Sequence, residues 1–310
     1  MRNAKLTGKL AERSRVRQKT GVVLPATQEG LLKDFGLDED RRWDIVHPSE
    51  LSHQERFCPR AVYLRIVDGA LPPEKFDFVR ENIFAEGNSI HDKWQARLRK
   101  YTQLWGDWKC LICKEIVRDS LEPEYATCGS RPDGVGFGHI WKYIEVSLDA
   151  EKEALICGHA DGAILDKNTL VEFKSVGEGT VRIEAPTLYK RHTGDSGVDL
   201  KSLWKDIQRP FRTHLNQGDI YLWICAQRGL PFNQISYVYE SKWNQLVKEF
   251  VIEYDERRSV LLVDQATSVL YAVEHRREPE CKFPGKCAEC KPYVARRASS
   301  RRKRTVQDMG

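Results

Sequence analysis

The residues of this chain whose types and spacing could do chemistry begin with Asp161, Glu172 and Lys174. Glu172 and Lys174 stand two apart in the run from Leu170 to Ser175, which reads as a β-strand. Their side chains therefore share one face, while Val171 and Phe173 point to the other. A short turn at Asp166, Lys167, Asn168 and Thr169 joins this strand to an earlier one over residues 155–165, which brings Asp161 alongside. Two carboxylates and an ammonium on one sheet face are costly without a purpose. A hard divalent cation, Mg2+ or Mn2+, gives them one, because such ions prefer oxygen ligands. The chemistry is then hydrolysis: the ion lowers the pKa of bound water and stabilises charge on a phosphate, and Lys174 orients the water or offsets developing negative charge. The competing reading of the same three residues is structural charge pairing on a solvated strand.

His91 lies on a helix ahead of the sheet and could add an imidazole ligand; the alternative is a solvated or core-edge histidine. Gln217 and Tyr221 are four apart on a helix from about Pro210 to Arg228 and share a face. An amide and a phenol placed so can hold a nucleotide or a water, or form a boundary stripe with no function.

Nine cysteines, with no secretory signal expected in the basic first 20 residues, argue for metal or cluster ligands over a disulfide framework. They group as Cys110-x2-Cys113 and as Cys281-x5-Cys287-x2-Cys290. Cys128 follows the first pair at the distance of a zinc ribbon, but Tyr125 stands where a ribbon's fourth cysteine would be. His139 could serve instead, giving a candidate zinc set of Cys110, Cys113, Cys128 and His139, or the knuckle binds nothing. Cys157 and Cys225 sit in apolar contexts and read as core.

The elements that must position these groups read as an α/β chain with a mixed sheet. Residues 1–46 form a basic arm, and 47–104 a helical region with one helix to about Val67 and a second from about Phe78 to Leu104. Gly87 within the second marks a close approach or a break. Residues 105–138 read as an inserted ribbon. Residues 139–255 hold the strands, a polar loop over 177–199 and the Gln217 helix. Residues 256–292 carry a helix and the late cysteines, and 293–310 a basic tail. The net charge of +5 is uneven: residues 1–20 and residues 291–310 each carry seven Lys/Arg against one acid, so the body between them is acidic. Basic ends suit a polyanion such as nucleic acid, or serve only solubility. At 41% hydrophobic and 31% charged residues the chain can bury a core, and no apolar run approaches the ~20 residues of a membrane span.

Taken in order, His91, Gly158-His159-Ala160-Asp161, Glu172-Phe173-Lys174 and Gln217-x3-Tyr221 resemble the motif series of RecB-like PD-(D/E)XK nucleases. With Cys58 and the three late cysteines, the set resembles the fourth CRISPR-associated family, iron–sulfur exonucleases, including members encoded by bacteriophages. That resemblance implies a restriction-endonuclease-like core over residues 139–255. It implies a metal held by His91, Asp161, Glu172 and the Phe173 carbonyl, with Lys174 as the catalytic lysine and Gln217 and Tyr221 assisting at the DNA end. It also implies a [4Fe–4S] cluster on Cys58, Cys281, Cys287 and Cys290, joining the N- and C-terminal parts. That family commonly spaces its late cysteines C-x2-C-x5-C, the reverse of the order here, and a zinc ion on the same four thiolates stays open. The expected activity is metal-dependent hydrolysis of DNA, 5′→3′ from single-stranded ends, in recombination, repair or trimming of CRISPR spacer precursors, in the cytoplasm of a bacterial or phage-infected cell. The rival readings are a non-catalytic DNA-binding module that keeps the fold, and a zinc-stabilised scaffold whose acids form salt bridges.

Overall fold

The computed structural model of the chain describes Thr27 and residues 42–72, 77–124 and 138–307. The chain divides into two units, one of residues 1–41 and 72–86, the other of residues 42–71 and 87–310. In the expected arm, residues 42–46 are described as a group. Val46 exchanges main-chain hydrogen bonds with Leu155 and Cys157, at 2.8 and 3.2 Å, and so joins the strand beginning at Ile156.

The helix expected over residues 47–67 is two helices, α1 (Pro48–Ser52) and α2 (Pro59–Asp68), parted by a turn. Pro59 explains the break. It cannot continue a helix from residue 55, but it fits the first position of a new one, with Cys58 as the N-cap. Helix α3 (Phe78–Tyr101) starts in the first unit, where Asp77 accepts the Arg80 N–H at 2.8 Å, and runs unbroken through Gly87. Gly87 marks a close approach: a β-carbon there would lie 3.3 Å from Ser175 Oγ.

The strands are β1 (Leu104–Cys110), β2 (Ile116–Leu121), β3 (Trp141–Tyr143), β4 (Val146–Ala150), β5 (Ile156–Ala160), β6 (Gly162–Ile164), β7 (Thr169–Val176), β8 (Thr193–Gly194), β9 (Gly197–Val198), β10 (Gln234–Ser241) and β11 (Val247–Glu253). One seven-stranded mixed sheet runs β11–β10–β7–β6–β1–β2, with β3 also on β1; β7 and β10 are parallel and its other pairs antiparallel. β4–β5 and β8–β9 are separate hairpins. The first strands of this sheet overturn the reading of 105–138 as an insertion: β1 and β2 are part of the main sheet, and β1 is almost wholly buried.

A parallel pair needs a long crossover between its strands, and the residues between β7 and β10 supply one. The stretch 177–199, expected as a polar loop, contains α5 (Glu178–Glu184), α6 (Pro186–Arg191) and the β8–β9 hairpin. It is followed by α7 (Leu200–Asp206) and α8 (Arg212–Arg228). Short helices of this kind carry too few turns to show an apolar period, and Pro186 at the start of α6 reads locally as a loop residue. A single turn, α4 (Glu151–Ala154), joins β4 to β5.

Helices cover both sheet faces. Phe173 and Glu240 meet α3, where Trp94 stacks on Phe173 at 6.0 Å and donates its ring N–H to Glu240 at 2.7 Å. Lys174, Tyr237 and Tyr239 face α8, whose close seating depends on Gly218 against Tyr237. Helix α9 (Glu256–Glu274) is tied to α8 by Arg258, which donates to both oxygens of buried Asp219 at 2.8 Å. Leu170, Leu203, Ile220, Tyr237 and Val269 are among the fully buried side chains of the main core. The expected basic tail is largely a helix, α10 (Lys291–Gln307). No described helix is long and apolar enough to cross a membrane.

Candidate active site and metal centres

Asp161 sits where the chain leaves the β4–β5 hairpin and enters the main sheet as β6. The β6–β7 register pairs Gly162 with Val171, so one step further sets Asp161 opposite Glu172. Asp161 Oδ2 accepts the Phe173 N–H at 2.6 Å, and Oδ1 lies 3.2 Å from His91 Nδ1. Gln95, one helical turn beyond His91 on the same face of α3, donates to the Asp161 carbonyl at 2.9 Å. Across the gap, Glu172 Oε2 meets Lys174 Nζ at 2.5 Å, and Nζ donates to Gln217 Oε1 at 3.2 Å. Gln217 Nε2 donates to the Tyr221 hydroxyl at 2.7 Å, which donates to the His159 carbonyl at 2.6 Å. The Gln217–Tyr221 pair therefore links the lysine on β7 to the main chain two residues before Asp161. Gly158 makes room for this, since a β-carbon there would stand 3.2 Å from the Tyr221 ring.

Every residue of the expected series is thus brought to one place, though in pairs. Among the described residues, the groups of three or more side chains whose donor atoms all lie within 4.8 Å are the cysteine sites below, not these acids. The main chain of Phe173 is held at Asp161 through its N–H.

One acid escaped the sequence reading. Glu145 follows β3 with a left-handed φ of 74°, which turns its side chain off the strand alternation. Its carbonyl accepts the Asp107 N–H at 2.8 Å, and Gly106 allows that approach, since a β-carbon there would lie 2.7 Å from the Glu145 carbonyl. Burial, then the charge of Asp161, pushes the Glu145 carboxyl up to about 7, against the pull of His91 and Lys174. No spacing rule flags this residue; the only signal is a lone acid between Ile144 and Val146.

The electrostatics are those of a buried, acid-rich cluster. Burial, then Asp161, pushes Glu172 up to about 7, with Lys174 and His91 opposing. Burial works against the Lys174 ammonium, but Glu172, Asp161 and Glu145 outweigh it and raise its pKa. Burial also works against a charged His91, and the Asp161 partner more than offsets it. Burial, then Glu172 and Asp161, keeps the Tyr221 phenol protonated.

These groups fit a hard divalent cation. Glu172 is only 2% exposed, and its Oε1 is buried with no hydrogen-bond partner, an expensive state for a carboxylate oxygen. The Glu172–Lys174 and Asp161–His91 pairs set the two carboxylates against the protein's own cations.

The four cysteines that the resemblance joined do meet. Cys58, Cys281, Cys287 and Cys290 are all buried, with their sulfurs within 4.8 Å of one another; Cys281 is 3.5 Å from Cys290 and 3.9 Å from Cys58. Four thiolates on one ion with bonds of ~2.3 Å stand about 3.8 Å apart. Thiolates that each bind a different iron of a cluster stand further apart. Burial pushes the Cys58 thiol up to about 11. Salt bridges close the surrounding corner: Glu278 pairs with Arg60 and Arg297, each at 2.6 Å, and Arg297 also pairs with Asp68.

Of the expected zinc set, Cys110, Cys113 and His139 come together, while Cys128 lies outside the described residues. Cys225 is buried in the core, and Cys157 is half-buried.

No protein-family model matches the chain, and no curated protein matches it. Among solved structures, it is similar to LHK-Exo in complex with dAMP, at 12% identity and TM-score 0.43, over 83% of this chain and 95% of that one. It is similar to the alkaline exonuclease LHK-Exo from Laribacter hongkongensis, at 13% identity and TM-score 0.41, over 88% and 98%. It is also similar to SSO0001, at 15% identity and TM-score 0.35, over 87% and 94%.

Proposed function

We propose that this chain is a metal-dependent deoxyribonuclease that hydrolyses phosphodiester bonds at DNA ends. The observation that carries the reading is the buried cluster at the β6–β7 junction. There Asp161, Glu172 and Lys174 converge beside His91, and a buried Glu172 oxygen lacks a partner. Asp161, Glu172, His91 and the Phe173 carbonyl would hold Mg2+ or Mn2+, and the charge of Glu145 acts on the same groups. When bound, such an ion supplies a more acidic water and charge neutralisation at the phosphate. Lys174, kept protonated by its acid neighbours, faces a phosphate oxygen or the attacking water. Gln217 holds that ammonium in place, and Tyr221 fixes Gln217 to the main chain next to Asp161. Removal of nucleotides in the 5′→3′ direction from single-stranded DNA, and a role in recombination, repair or spacer-precursor processing, follow from the motif resemblance.

The four-cysteine site is proposed as a structural metal centre joining α2 to the region before α10. The sulfur spacing favours one zinc ion, whereas the motif resemblance favours a [4Fe–4S] cluster. Visible absorbance of anaerobically purified protein separates the two.

The pairing of Glu172 with Lys174 and of Asp161 with His91 favours a second reading, a DNA-binding module without catalysis. End-labelled single- and double-stranded DNA incubated with Mg2+ or Mn2+ decides between them. Shortened products are expected with the wild-type protein and not with Asp161→Asn or Lys174→Met. DNA bound but never shortened supports the module, and a variant with the wild-type rate removes the assigned centre.

A further inference from the structure

Away from the acidic cluster, the turn between β1 and β2 gathers a second set of soft donors. Cys110 ends β1, Cys113 follows in the turn, and His139 precedes β3; one donor atom from each lies within 4.8 Å of the others. The sheet enforces this meeting. Cys110 pairs with Trp141 across β1 and β3, and the Leu111 N–H donates to the Ile140 carbonyl at 2.9 Å. Lys114, at a left-handed φ of 65°, folds the chain back so that its N–H reaches the Cys110 carbonyl at 3.1 Å.

The donors are also oriented. The Ile112 N–H points at Cys110 Sγ from 3.4 Å, a contact that favours a thiolate over a thiol. Cys113 Sγ stands 3.6 Å from His139 Nδ1. The His139 ring is clamped on Trp141, with centroids 4.7 Å apart and planes 9° from parallel. Its other nitrogen, Nε2, lies 3.9 Å from Glu115 Oε2, beyond hydrogen-bond range, and the same oxygen stands 4.0 Å from Cys113 Sγ. Ordinary core packing does not account for this, because His139 is only 6% exposed and yet turns a ring nitrogen to a sulfur.

We infer that Cys110, Cys113 and His139 hold a zinc ion. Two thiolates and an imidazole match the ligand preference of Zn2+. Bonds of ~2.3 Å to sulfur and ~2.0 Å to nitrogen set neighbouring donors about 3.5 Å apart, close to the observed Cys113–His139 separation. The ion fastens the β1–β2 turn to the entrance of β3. Further along β1, Asp107 anchors Glu145 by its main chain, so the zinc braces strands on which Glu145 is held. The site stands whether or not the Asp161–Glu172 cluster cleaves DNA.

The test uses the full chain and metal content by plasma mass spectrometry. Cys113→Ser and His139→Gln are each expected to lose one zinc per chain relative to wild type, whatever the four-cysteine site carries; a folded variant with undiminished zinc overturns the inference. If the variants are insoluble, the wild-type protein answers. Cys113 is only half-buried, so its alkylation by iodoacetamide, read by peptide mass spectrometry, should speed up once a chelator removes zinc and frees the sulfur. Equal rates before and after chelation overturn the inference.

Discussion

Gly218 offers a sharp test of how α8 is set against the sheet. A β-carbon at this position would lie 1.9 Å from Tyr237 Oη, 2.9 Å from Tyr237 Cζ and 3.0 Å from Ile235 Cδ1. All three are well inside the ~3.5 Å at which non-bonded atoms begin to repel. Two effects of Gly218→Ala oppose one another. Alanine is the better helix former by about 1 kcal/mol. Overpacking a closed core costs roughly 1–3 kcal/mol, and a contact this short on two fully buried side chains belongs at or above the top of that range. The collision wins, and a net loss of about 2 kcal/mol is expected. Removing the oxygen with Tyr237→Phe should recover part of it, so the double variant should be more stable than the sum of the single changes implies. Urea unfolding of the wild type, both single variants and the double variant measures this. Because Gln217 adjoins the glycine and Tyr221 lies one turn on, the shifted helix should also slow DNA shortening. A Gly218→Ala protein as stable as the wild type would refute the seating of α8 on β10.

Three further outcomes are expected. Burial, then Lys174 and His53, holds His214 well below its ordinary 6.5 beside the Tyr239 hydroxyl, so it is neutral when folded and takes a proton only on unfolding. Its contribution to stability is therefore complete above about 6.5 and lost as pH falls below it, by up to ~1.4 kcal/mol per pH unit. His214→Gln should flatten the stability curve in that range, and parallel curves would contradict this. Glu145→Gln should leave thermal stability near wild type but weaken Mn2+ binding about 10- to 100-fold by calorimetry; unchanged affinity would place Glu145 outside the centre. The Cys58–Cys281 connection spans 223 residues, and by analogy with cross-links it stabilises by roughly 4–5 kcal/mol. Cys287→Ala should therefore lose both metal and solubility, and a soluble variant with wild-type metal content would count against the staple.

The candidate site was legible wherever a short period carried it. Strand alternation predicted that Glu172 and Lys174 face one way and Phe173 the other, and helical spacing predicted that Gln217 and Tyr221 share a face; both contacts are present. Helix α3 was legible for the same reason. What was missed has no period to read. Glu145 breaks the strand alternation through one left-handed residue, a property of the backbone rather than of a pattern. β1 was hidden because two cysteines and a loop-like stretch made 105–138 resemble a separate ribbon, although Leu104, Trp105 and Trp108 bury the strand. The crossover helices α5 and α6 are seven and six residues long, too short for an apolar stripe to repeat.

Asp161 unites the structural and chemical demands on this fold. β6 begins only at Gly162, so the strand that would continue the ladder beside Phe173 has already turned away into β5. The Phe173 N–H would be left without an acceptor, and the Asp161 carboxylate takes that place at 2.6 Å. An alanine here removes charge and acceptor together, leaving a buried N–H unsatisfied at about 1–3 kcal/mol. Loss of activity in that variant would therefore not distinguish a damaged ladder from a lost metal ligand. Asparagine keeps an oxygen for Phe173 and gives up the charge and the second oxygen, which becomes an NH2. The same reasoning explains why an acid can be stored at this point. The main chain of β7 fixes one oxygen of Asp161, so the other is aimed at His91 without further ordering of the side chain. A folded, stable Asp161→Asn protein that no longer binds Mn2+ would mean that the gap in the sheet is what positions the acid for chemistry.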